Sequence, residues 1–282
     1  MKRVPFQQVD VFTAVPFKGN PVAVVLDGNG LQTEQMQAIA NWTNLSETTF
    51  VCAATNAAAD YRLRIFTPKS ELNFAGHPTL GSAHAVVRNG LIPKTTGRLV
   101  QECRHGLIPL ALDGERIFLM VPQPRLSEVP NDTLAEIGRA LGIESGAIRA
   151  AASVDVSITW ITLQLSDGAL VAQLKPDQAR LAALTPRGAV GVTVFGLTGG
   201  APQIEVRSFA PAEGVPEDPV CGSGNGCVAA LVRQEKLIAA SSYVAGQGRC
   251  MGRDGRVEVR FDGDDIWLGG HAVTCVEGML QV

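Results

Sequence analysis

The stretch RIFTPKSELNFAGHPTLGSAHAVV, residues 64–87, begins as a strand, passes through a polar turn and ends in a glycine-led helical run. It is answered by RSFAPAEGVPEDPVCGSGNGCVAALV, residues 207–232, in which the same order of elements returns. Arg64, Phe66 and Pro68 match Arg207, Phe209 and Pro211 in an Arg-x-Phe-x-Pro pattern. In the first copy the helical run opens at Ala75, in the second at Cys221. One pentapeptide match could arise by chance, but the shared order of strand, loop and helix around it favours an internal duplication. A duplicated α/β unit in 282 residues predicts two lobes of ordinary domain size.

The flanking sequence extends the pattern. Residues 6–13 alternate, and residues 21–26 (PVAVVL) are a continuous apolar run of buried-strand type. A helix is expected from Thr33, with Met36, Ile39, Ala40 and Thr43 on one face. Residues 61–67 read as a strand and residues 79–89 as a helix. Residues 99–103, 107–112 and 117–121 read as an antiparallel series. Three prolines, Pro122, Pro124 and Pro130, mark residues 122–130 as the linker, because proline removes a backbone donor and fixes φ. Beyond it come a strand at 158–165, a turn at Asp167-Gly168, a helix at 176–184 and strands at 190–197 and 204–209. The expected lobes are residues 1–122 and 123–267, with a C-terminal strand in 268–282 packing back on the first.

The composition is globular, with 46% hydrophobic and 18% charged residues. A net charge of −3 gives no electrostatic footprint for nucleic acid or an anionic membrane. The N-terminus lacks the apolar segment of a secretory signal, and no run is long enough to cross a bilayer. The six cysteines are scattered with no CxxC, so reduced thiols and a cytoplasmic location are expected. The four histidines form no metal-ligand spacing, and no dinucleotide or phosphate-loop fingerprint occurs. The expectation is activity without metal or cofactor.

The two loop-helix junctions are the candidate chemistry. The first turn of a helix presents unpaired N–H groups and the positive end of the helix dipole. Gly76, Gly222 and Gly224 would let a ligand oxygen approach that backbone closely. If the halves face each other across a pseudo-twofold, both helix starts converge on one cleft. That cleft would suit a carboxylate and an enolate-like intermediate.

Six segments carry a family resemblance: DVFTAVPFKGNPVAVV (10–25), NLSETTF (44–50), RIFTPKSELNFAGHPTLGSAH (64–84), RSFAPAEGVPEDPVCGSGNG (207–226), QGRCMGRDG (247–255) and WLGGHAVTCVEGML (267–280). Together they resemble the PhzF family of phenazine-biosynthesis-like proteins. The resemblance implies the diaminopimelate-epimerase fold: two similar mixed α/β lobes, each a curled sheet around a central helix, with the active site between them. It also implies a cofactor-free enzyme, a homodimer, and proton-transfer isomerisation of the kind the family performs on a dihydro-hydroxyanthranilate.

Carried over by motif, the resemblance makes Glu47 the acid/base. Gly76, His77, Asp218, Gly222 and Ser223 become residues that line the site and hold substrate. The residues themselves agree: Glu47 lies among Leu45, Thr48, Thr49 and Phe50, and partial desolvation suits a carboxylate for base chemistry near neutrality. Asp218, just ahead of a helix start, suits an ammonium or hydroxyl. Whether Gly19-Asn20 meets substrate or only turns the chain stays open. One departure stands out. The family's EDPVTGS reads EDPVCGS here, placing Cys221 where threonine is usual. Racemases of the same fold carry a catalytic cysteine in this loop, paired with one in the other lobe. The matching first-lobe residue here is Ala75, so Cys221 is a possible second acid/base without its partner. The resulting expectation is an isomerase moving a proton on a small carboxylate. The alternatives are a racemase, epimerase or dehydratase using Cys221 with Glu47, and a non-catalytic metabolite-binding protein.

Overall fold

The computed structural model describes residues 2–184 and 188–282. The chain divides into two compact units, residues 1–120 with 269–282, and residues 121–268.

The first unit is built from β1 (Arg3–Val11), β2 (Asn20–Val25), α1 (Thr33–Thr43), β3 (Thr48–Cys52), β4 (Tyr61–Phe66), β5 (Glu71–Leu72), α2 (Gly76–Arg88), β6 (Arg98–Cys103), β7 (Gly106–Asp113) and β8 (Arg116–Met120). β1 and β2 pair antiparallel, β2 and β3 parallel, and β3 and β4 antiparallel. β4 continues parallel to β6, which opens an antiparallel β6-β7-β8 meander. α2 packs against β1, β2, β3, β4, β6 and β8, so the sheet curls around it. Its sequence permits that: His77 to Ala83, Ala85 and Val86 are all buried, as expected of a helix enclosed on every side. Gly81 marks the tightest approach. A Cβ there would lie 2.4 Å from Val22 Cγ1, so only glycine lets α2 seat on β2. A second core, of Val4, Val25, Met36, Ala40, Phe50 and Phe66, lies under α1.

The second unit holds β9 (Arg125–Ser127), α3 (Asn131–Leu141), β10 (Ile148–Asp155), β11 (Thr159–Leu165), α4 (Gly168–Gln173), α5 (Gln178–Leu184), β12 (Ala189–Leu197), β13 (Ile204–Ala210), β14 (Val215–Asp218), α6 (Gly222–Gln234), β15 (Ser242–Gln247) and β16 (Gly255–Asp262). β9, β10 and β11 pair antiparallel, β11 and β12 parallel, and β12, β13 and β14 antiparallel. β13 runs parallel to β15, which pairs antiparallel with β16. α6 is packed on β10, β11, β12 and β16 and is buried from Gly224 to Val232. Ile137, Leu141, Leu163, Val171, Leu181, Val194 and Phe209 form the outer core beneath the remaining helices. The last strand, β17 (Asp265–Gln281), reaches the first unit, where residues 272–281 pair antiparallel with the whole of β1.

The Arg-x-Phe-x-Pro echo has a physical basis in each unit. Arg64 Nε and Nη2 donate to the two carboxylate oxygens of Glu71 at 2.7 and 2.8 Å, and its guanidinium lies 5.1 Å from the Phe66 ring centre. Arg207 holds Glu217 in the same fork at 2.9 and 2.8 Å, 5.0 Å from Phe209. Forked pairs of this kind fix geometry as well as charge. Each ties the strand to the return segment that leads into its buried helix.

Three local readings change. α2 begins at Gly76, three residues before the expected start, and Pro78 sits in its first turn, where no backbone donor is needed. Asp167-Gly168 is a helix start and not a free turn, with Asp167 Oδ1 accepting from Leu170 N at 2.8 Å. The proline-rich 122–130 segment contains β9, paired with β10. Among the described residues no helix is long and apolar enough to cross a membrane.

Candidate functional site

In the first unit, Glu47 stands in the short connection that leads into β3, and its carbonyl accepts from Ala23 N at 3.4 Å. His77 is the second residue of α2 and is 7% exposed. The two side chains meet, with His77 Nε2 3.4 Å from Glu47 Oε2. The ring hydrogen-bonds to the backbone of Pro21, which offers only a carbonyl. Nε2 makes no hydrogen bond, so the bonding nitrogen is Nδ1, as a donor. Burial lowers the imidazole pKa to about 4, against a smaller opposing effect of the Pro21 bond. With Nδ1 donating to Pro21, a neutral His77 turns its Nε2 lone pair toward the Glu47 carboxyl group. An imidazole lone pair and a carboxylate oxygen in close apposition are both acceptors. A proton arriving on Glu47 converts that apposition into a hydrogen bond.

In the second unit, Asp218 ends β14, Cys221 caps α6, and Gly222 and Ser223 form its first turn. Asp218 Oδ1 accepts from Val220 N at 3.0 Å. Burial raises its pKa to about 6, outweighing the hydrogen bonds from Val220 and Cys221 that lower it. Cys221 is 4% exposed, and its Sγ accepts from Gly224 N at 3.2 Å. Burial first, and then the neighbouring Asp218 charge, push this thiol well above the ordinary range. Helix capping by sulfur does not offset those two effects, so Cys221 is a thiol and not a thiolate. Ser223 Oγ accepts from Trp160 Nε1 at 2.9 Å, which fixes the hydroxyl at the head of the helix.

The equivalence of Ala75 and Cys221 is visible in the caps: each immediately precedes its buried helix, and only the cysteine supplies a side-chain acceptor. Gly19 has a packing reason of its own, since a Cβ there would lie 2.0 Å from the Val11 carbonyl oxygen. The sequence reading missed Pro21, Trp160 and Gln247 as partners of the site. All three act across long sequence separations, and nothing in local spacing marks them. No group of three or more metal-ligating acidic, histidine or cysteine side chains occurs among the described residues.

The profile of the PhzC-PhzF family, described as phenazine biosynthesis-like protein, matches residues 9–278. A fission-yeast protein, Antisense-enhancing sequence 1 of Schizosaccharomyces pombe, is 40% identical, with 97% of each chain covered. The trans-2,3-dihydro-3-hydroxyanthranilate isomerase of Pseudomonas aeruginosa is 33% identical over 95% of this chain and 92% of its own. The crystal structure of a Bacillus anthracis phenazine biosynthesis protein of the PhzF family superposes with a TM-score of 0.88 at 25% identity, covering 100% of both chains.

Proposed function

The chain belongs to the phenazine biosynthesis-like (PhzC-PhzF) family and is an isomerase of that family; we propose that it moves a proton on a small carboxylate-bearing metabolite, with Glu47 as the acid/base and no cofactor. The observation that carries this reading is the contact of a half-buried Glu47 with the buried His77 at 3.4 Å. Glu47 takes a proton from substrate carbon. The neutral His77 Nε2 then accepts a hydrogen bond from the protonated carboxyl and holds it for return to another carbon. A carboxylate between a base and an acid role needs a neighbour that stabilises its protonated form without competing for the proton. An imidazole with its pKa lowered to about 4 meets that condition.

In the same reading Gly76 and Gly222, in the first turns of α2 and α6, offer N–H groups to the carboxylate and to enolate-like charge. Asp218 and Ser223 take an ammonium or hydroxyl of the substrate. A fold of diaminopimelate-epimerase type and a homodimer belong to this reading as well, the latter measurable by light scattering. The racemase or dehydratase alternative needs a populated Cys221 thiolate, and the burial of that thiol argues against it.

The experiment is proton exchange and double-bond migration in deuterium oxide over a library of small carboxylates, with trans-2,3-dihydro-3-hydroxyanthranilate as its first member. Glu47→Gln keeps the shape and removes the base. It should bind the substrate so found and lose turnover by about 10²-fold or more. Near-wild-type turnover in that variant assigns the proton to another group.

A further inference from the structure

The QGRCMGRDG segment, residues 247–255, has no part in the chemistry above, yet it surrounds the loop that carries Asp218. Gln247, the last residue of β15, has no solvent exposure. Its Oε1 accepts from Cys221 N at 3.1 Å and from Asn225 Nδ2 at 2.8 Å. Its Nε2 donates to the Asp218 carbonyl at 3.0 Å. The carbonyl of residue i and the N–H of residue i+3 are the groups that close an ordinary β-turn. Here the Gln247 carboxamide stands between them, and it is one of the few side chains able to donate and accept in one plane.

The neighbouring glycines fit the same loop. A Cβ on Gly248, at φ +96°, would lie 2.5 Å from the Pro219 carbonyl oxygen, and one on Gly255 would lie 2.4 Å from Val220 Cγ2. The segment is thus moulded to residues 218–221 along their length. The corresponding strand of the first unit, β6, also buries a glutamine. Gln101 spends its carboxamide differently, donating to Thr79 Oγ1 at 3.0 Å and accepting from Tyr61 Oη at 2.9 Å.

We propose that Gln247 is a positioning residue that holds the Asp218 carboxylate and the first turn of α6 in register for the reaction. The inference rests on the proposed roles of Asp218 and Ser223, and its test therefore has one arm that needs no substrate. In that arm, iodoacetamide labelling of Cys221 is measured by mass spectrometry against the exposed Cys250 of the same molecule. Wild type should label slowly, and Gln247→Met at least tenfold faster in that ratio.

The second arm uses Gln247→Glu, whose protonated acid has one donor and one acceptor, like the carboxamide, whereas its ionised form has acceptors only. On a carboxylate that wild type turns over, Gln247→Met should lose at least tenfold in kcat/KM, mainly through KM. Gln247→Glu should recover toward wild type as the pH falls from 8 to 5.5, while the Met variant keeps a constant deficit. A role in stability alone would lower the melting temperature and leave the KM of the folded fraction unchanged. Unchanged labelling together with wild-type KM overturns the proposal. If no carboxylate is turned over by wild type, the proposed function fails, and the labelling ratio alone decides whether Gln247 holds the loop.

Discussion

Asp218→Asn should make the protein more stable at neutral pH, and the size of the gain follows from the site. The Asp218 carboxyl is pushed from 3.8 to about 6, chiefly by burial. Between those values the folded protein binds more protons than the unfolded chain, so wild-type stability falls as the pH rises through this window. Above pH 7 the charged group costs the fold about 3 kcal/mol. Asparagine carries no such penalty, and its Oδ1 can still accept from Val220 N, the bond seen at 3.0 Å. The difference between variant and wild type should be near zero below pH 4 and grow to about 3 kcal/mol above pH 7. Urea unfolding at pH 4.5, 6 and 7.5 measures it. The near-UV signal of Trp160, bonded to Ser223 in the same unit, provides a local probe. Turnover by Asp218→Asn should fall at the same time, as expected where a half-buried charge is kept for function. A difference that is the same at pH 4.5 and 7.5, or a variant less stable than wild type at pH 7.5, would refute the claim that the carboxylate is held desolvated.

Cys221→Thr should keep most activity, and Cys221→Ser likewise. If both lose about 10²-fold while binding survives, the thiol is catalytic and the Glu47-only chemistry fails. Dialysis against a chelator should leave turnover unchanged, and loss restored by one stoichiometric metal would overturn that. Arg207→Lys breaks the fork to Glu217 and the bonds to the Val171 and Leu174 carbonyls, so it should cost about 2 kcal/mol in urea unfolding.

The parts of the fold that could be read from sequence are those written in local pattern. The apolar run PVAVVL is β2, the alternation of residues 6–13 falls on β1, and Arg-x-Phe-x-Pro marks β4 and β13. That echo was visible as letters, but its reason was not. Glu71 lies seven residues after Arg64, whereas Glu217 lies ten after Arg207, so the forks do not align in a simple comparison. The start of α2 was missed because Gly76, His77 and Pro78 are poor helix formers, and tertiary burial outweighs propensity there. α3 and β10 went unread beside the prolines of the linker segment. At the candidate site, the motifs singled out Glu47 and His77 separately, and the structure brings the two side chains to 3.4 Å. The Pro21 carbonyl that fixes the His77 tautomer, and the Gln247 carboxamide beneath Asp218, belong to strands remote in sequence and leave no local trace.

The path of β17 sets an order on synthesis. The first unit needs residues 272–281 to pair with β1, and those residues leave the ribosome after the whole of residues 121–268. At ~5–20 residues per second that is a delay on the order of ten seconds. During it β1 is paired with β2 alone, and its other edge carries the open backbone groups that invite mispairing. The second unit, whose residues are contiguous, has no such wait. The earlier half is therefore finished only by the arrival of β17, a few residues after the later half ends.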